Sequence, residues 1–224
     1  MTTLNRRKWL GAAALSLGGA APAQAWELPW SKPPSARETL QRRALPDIAV
    51  QTHDGKSVHF YRDLVKDKMV VLNFMYVNCS DGTCPVATYS LKLVQQQLGD
   101  RVGRDIFFYS MTLDPERDTV EMLRNYADVH GVGAGWRFLR ARRSDTDELR
   151  RGLGFYDRDP GLDAQKSNHL AMIRFGHEPT VAWGSVSALR DPRVIANAIL
   201  ATAPASARAS AAVGAPAGNP RAGS

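Results

Sequence analysis

The sequence predicts an α/β domain: a mixed central sheet flanked by helices, with an extra β-hairpin at its amino-terminal side. Three observations predict it. The apolar runs MVVLNFMYV (69–77) and DIFFYSMTLD (105–114) read as strands covered on both faces. A stretch with helical periodicity follows each run, giving strand–helix–strand–helix order. Finally, HLAMIRF (169–175) and TVAWGSV (180–186) are joined by the short GHEP segment, so the last two strands form a hairpin.

Residues 1–25 have the anatomy of a cleaved export signal: paired Arg6 and Arg7, an apolar segment from Trp9, and the small-residue site Ala23-Gln24-Ala25. The arginine pair resembles a twin-arginine (Tat) signal, with a general secretory signal as the alternative. The apolar segment is too short for a membrane span, which needs about 20 residues. Cleavage would therefore leave a periplasmic chain with no stable span, starting near Trp26. Residues 26–43 read as an extended lead-in, 44–201 as the globular unit, and the Ala/Pro/Gly-rich 202–224 as a disordered tail.

Within the globular unit, residues 47–64 alternate around the turn signal Asp54-Gly55, which gives the hairpin. From Pro85, Ala87, Leu91, Val94 and Leu98 share one helical face and Gly99 closes the helix. Asp118 and Glu121 have capping-box spacing ahead of a stripe of Val120, Leu123 and Ala127. WRFLRA (136–141) is a short strand, Ser144 with Asp147 starts a helix through Leu149 and Leu153, and Asp191-Pro192 opens the closing helix through Ile199. This order matches a thioredoxin-type sheet with an inserted element in its middle.

The formal charge is +7, and without Arg6, Arg7 and Lys8 the chain has 26 basic against 22 acidic residues. The densest basic cluster, RFLRARR (137–143), reads as a solvated face. With no accompanying motif, nucleic acid is not an expected partner.

The chain has two cysteines, Cys79 and Cys84, between the first apolar strand and the helix opened by Pro85. Three readings stand: a structural disulfide, a redox couple, and two sulfur ligands for a soft metal. A disulfide here closes a very small loop, where the chain-entropy gain is least. The other two readings use the same atoms and are compatible. A helix start favours negative charge, so the Cys84 thiolate is expected to form more easily than at the free thiol's pKa of about 8.5. A thiol peroxidase fits poorly, because Tyr76 stands where that chemistry needs a threonine.

Two thiolates suit Cu(I) or zinc, and an imidazole completes such a site. His53, His59, His130 and His177 read as surface residues. His169, just before a core strand, takes the loop position that faces the strand–helix junction. Met75 and Met111 lie in predicted buried strands and read as core.

NFMYVNCSDGTCP (73–85), TLDPERDT (112–119), GWRFL (135–139) and SNHLAMI (167–173), in that order and spacing, resemble the SCO/SenC family. These are thioredoxin-fold copper proteins of the bacterial periplasm and the mitochondrial inner membrane, and the similarity covers 46–201. The resemblance implies metal ligation by Cys79, Cys84 and His169, and a role for Asp114 in shaping the site or a partner surface. It also implies Cu(I)/Cu(II) binding and delivery of copper, or of reducing equivalents, to a cuproprotein client. The copper-bearing subunit of cytochrome oxidase is the client it points to, with other periplasmic thiol or copper proteins as further partners. Family members usually separate the cysteines by three residues and follow the first with proline. Here four intervene and Ser80 takes the proline's place, which shifts weight toward the alternative of thiol–disulfide exchange through Cys79 and Cys84 as a catalytic couple.

Overall fold

A computed structural model describes residues 34–169 and 171–204, with only the backbone of Ser167 and His169. The export-signal expectation for 1–25, most of the proposed tail and the first part of the lead-in lie outside the described residues.

Seven strands form one sheet in the order β2-β1-β5-β4-β3-β6-β7. They span Ala49–Thr52 (β1), Ser57–His59 (β2), Met69–Met75 (β3), Ile106–Thr112 (β4), Trp136–Arg140 (β5), Met172–His177 (β6) and Ala182–Ser187 (β7). β3, β4 and β5 run parallel, whereas β6 and β7 are antiparallel to their neighbours. The stretch β4-β3-β6-β7 has the pairing of a thioredoxin-like sheet, and the β1–β2 hairpin extends it beyond β5. Every residue of β3 is buried, as its unbroken apolar run requires.

The helices are α1 (Ala36–Ala44), α2 (Thr83–Leu98), α3 (Val120–Val129), α4 (Arg143–Gly152), the single turn α5 (Pro160–Asp163) and α6 (Pro192–Thr202). Right-handed crossovers from β3 to β4 and from β4 to β5 put α2 and α3 on one face. There the Thr88 and Tyr126 hydroxyls share a hydrogen bond of 3.0 Å. α6 packs beside α2. α4 packs on the end of α1, where Gly152 lies so near Ala44 that an added Cβ would stand 3.0 Å from its Cα. Among the described residues no helix is long and apolar enough to cross a membrane.

Three expectations are corrected. Residues 36–43 of the supposed extended lead-in are helical: Ser35 and Glu38 form a reciprocal capping box. Arg37 then anchors the helix, donating at 2.6 Å to each carboxylate oxygen of the fully buried Glu178, which also accepts from the Asp67 amide and the Tyr61 hydroxyl. Asp118 does not cap α3. Thr119 does, accepting from the Met122 amide, while Asp118 turns into the interior. The basic stretch is more than a solvated face. Arg140 and Arg143 donate to the Pro115 and Leu113 carbonyls, and the neighbouring Arg150 is buried against Asp163.

Candidate metal and dithiol site

β3 and β4 end side by side, and the Leu113 amide continues their ladder onto the Met75 carbonyl at 2.7 Å. Beyond that edge the chain after β3 becomes the cysteine loop, and the chain after β4 becomes the turn Asp114–Asp118. The carboxyl ends of parallel strands are where α/β sheets place their ligands.

The cysteine loop folds back through Gly82. Its φ of +75° is left-handed backbone, open to glycine without the penalty other residues meet. Asp81 accepts from the Thr83 amide at 2.9 Å and stabilises the start of α2. The Cys79 thiol donates to the same Asp81 oxygen at 3.1 Å, and this contact, with the Thr83 amide, holds the Asp81 carboxyl below its usual range.

Both thiols are free. Cys84 is 1 % exposed, and its sulfur accepts from the Tyr76 amide at 3.4 Å. Cys79 is half-buried, and its sulfur accepts from the Cys84 amide at 3.3 Å. Burial, and then the hydrogen bond with Cys79, push the Cys84 thiol well above its ordinary pKa. The expectation of an easily ionised Cys84 is therefore corrected. The helix start supplies amides to the sulfur pair, but loss of water outweighs them at the inner sulfur. The Tyr76 hydroxyl is pushed up to about 12 by its own burial and by the nearby Cys79.

Asp118 holds the two exits together. Its carboxylate, 1 % exposed, accepts from the Val77 amide at 3.1 Å and from the Thr112 hydroxyl. The Thr112 hydroxyl oxygen in turn accepts from the Asp114 amide at 2.9 Å. Burial raises the Asp118 pKa against these hydrogen bonds. No sequence pattern separated this role from capping, since the spacing to Glu121 fits both.

β6 enters the sheet at the edge where β3 leaves it, because the two run antiparallel with Asn73 opposite Ile173. Just before β6 lies a 3₁₀ turn, Lys166–His169. His169 is thus backbone-placed at the cysteine end of β3; its side chain lies outside the described residues. Lys166 pairs with Asp114 at 2.9 Å and sits 5.9 Å from the centre of the Tyr76 ring. Among the described residues no three His, Cys, Asp or Glu side chains converge as a metal site.

The other four histidines have local roles. His53 Nδ1 accepts from the Phe138 amide at 3.0 Å, His59 approaches Asp47, His130 lies against Tyr126, and His177 bonds Thr180. Met75 and Met111 are buried in the core, as expected.

The sequence profile of the SCO1/SenC family matches residues 45–150, a segment that holds both cysteines, Asp114 and Asp118. This segment is similar to SCO1/SenC. The SCO1/SenC match ends before the 3₁₀ turn that carries His169. No curated protein matches the sequence. Solved structures share the fold. A protein from Aquifex aeolicus VF5 is 24% identical with a TM-score of 0.56, over 68% of this chain and 88% of that one. A SCO1/SenC family lipoprotein from Bacillus anthracis is 19% identical, TM-score 0.58, over 71% and 94%. Bradyrhizobium japonicum ScoI, solved with copper bound, is 18% identical, TM-score 0.54, over 70% and 97%.

Proposed function

We propose that this chain is an exported, periplasmic copper-binding accessory protein of the Sco type. Cys79 and Cys84 are its thiolate ligands and His169 its imidazole ligand. Its client is a cuproprotein such as the copper-bearing subunit of cytochrome oxidase. The observation that carries this reading is the meeting, at one sheet edge, of the dithiol loop and the 3₁₀ turn ending at His169. The donor set fits copper: thiolate sulfurs and imidazole suit a soft ion. The SCO1/SenC match over 45–150 and the copper-bound Sco relative with this fold agree with it.

The metal-free protein keeps Cys84 neutral, and a thiol must lose its proton to ligate. Copper uptake therefore releases protons and weakens as pH falls. The half-buried Cys79 is the sulfur within reach of an acceptor protein.

Titration of the reduced, signal-free protein with Cu(I) tests the proposal. One equivalent should bind. His169→Ala should weaken binding by at least the ~10–100-fold that losing an outer-shell partner costs, while leaving disulfide formation intact. Equal affinity in the variant refutes the ligand assignment.

A second reading, thiol–disulfide exchange with partner cysteines, is supported by the closeness of the two cysteines, the Cys84 amide donating to the Cys79 sulfur at 3.3 Å. A mixed disulfide trapped in Cys84→Ser, with no stoichiometric copper in the wild type, would favour it.

A further inference from the structure

The 3₁₀ turn Lys166–His169 closes a long insertion between β5 and β6. Where the insertion leaves α5 it is anchored by Asp163, whose carboxylate accepts from the buried Arg150 at 2.6 and 2.9 Å. Next comes Lys166. Its ammonium reaches Asp114 at the exit of β4 and lies over Tyr76 at the exit of β3. Tyr76 is the residue whose amide donates to Cys84 Sγ. One cation therefore joins the insertion to both strand exits that frame the dithiol. The pair is partly withdrawn from water, with the side chains 32% and 13% exposed, so salt screens it less than an open surface pair. With three residues per turn, positions 166 and 169 fall on one edge of the 3₁₀ turn.

We propose that Lys166 is a positioning residue: its bond to Asp114 and its contact with Tyr76 latch the 3₁₀ turn, and with it His169, over the dithiol. The part of this that concerns copper rests on the functional reading above; the latch itself does not. Asp114 acts here as the receiver of the latch, not as a ligand.

The test uses wild type, Lys166→Met, Asp114→Asn, Lys166→Arg and the exchange variant Lys166→Asp with Asp114→Lys. In the metal-free reduced protein, the alkylation rate of Cys79 by iodoacetamide reads how closely the turn covers the thiol. Lys166→Met and Asp114→Asn should both speed it, and Lys166→Arg and the exchange variant should restore it. Cu(I) affinity should fall by about 10–100-fold in the first two variants and recover in the other two, as for loss of an outer-shell partner. Electron paramagnetic resonance of the Cu(II) form should change with the affinity, which a purely structural role would not produce.

Unchanged alkylation in both Lys166→Met and Asp114→Asn overturns the latch, whatever the metal data show. Faster alkylation with unaltered copper affinity keeps the latch but removes His169 as a ligand. A wild type that binds no copper refutes the functional reading and leaves the latch to be judged by alkylation alone.

Discussion

Asp118 shows how much one buried carboxylate can organise. It accepts from the Val77 amide, two residues ahead of Cys79, and from Thr112 at the end of β4. Asp118→Ala would leave that amide without its partner. A cost of about 1–3 kcal/mol is expected, measured by urea unfolding, together with faster Cys79 alkylation. Asp118→Asn keeps one acceptor oxygen and should recover part of both. At this scale the sequence was uneven as a guide. The sulfurs were legible because two thiols beside a helix-opening proline stand out in a chain with no others. Asp118, Tyr76 and Lys166 were not, since each acts through a tertiary contact far along the chain, as in Asp118 on Val77 and Lys166 on Tyr76. The sign of the Cys84 shift was misread for a related reason: local sequence reports the helix start, whereas burial depends on the whole fold.

At the scale of elements, the Arg37–Glu178 node ties α1 to the turn between β6 and β7. Burial alone would raise the Glu178 pKa, but the bonds from Arg37, the Asp67 amide and Tyr61 outweigh it and lower it. A lowered carboxylate contributes stability that is present above its unfolded pKa, about 4.3, and is lost as pH falls through its folded value. Glu178→Gln should cost about 1.5–3 kcal/mol near neutrality, the range for hydrogen bonds to charged groups. Thermal melts should show the gap from wild type closing below pH 4.3, the carboxyl's ordinary value. Most elements were readable from periodicity and punctuation: the Asp54-Gly55 hairpin, the Gly99 end of α2 and the Asp191 cap of α6 all lie where the residues predict. The missed helix α1 had a signal, Ser35-x-x-Glu38, but no buried apolar stripe to draw attention to it.

For the whole molecule, element order led to the sheet because crossover handedness leaves few arrangements once the β3-α2-β4 unit is recognised. The same sheet controls access to the sulfurs. In the native reduced protein, alkylation followed by mass spectrometry should modify Cys79 first, and Cys84 only at the rate at which α2 or the whole domain opens. Denaturant should erase the difference. Comparable native rates at the two positions would contradict the burial of Cys84.

That asymmetry gives the sulfur pair a front and a back. Whatever arrives from solution meets the outer atom first, and the inner one comes within reach only past it or through an opening of the fold.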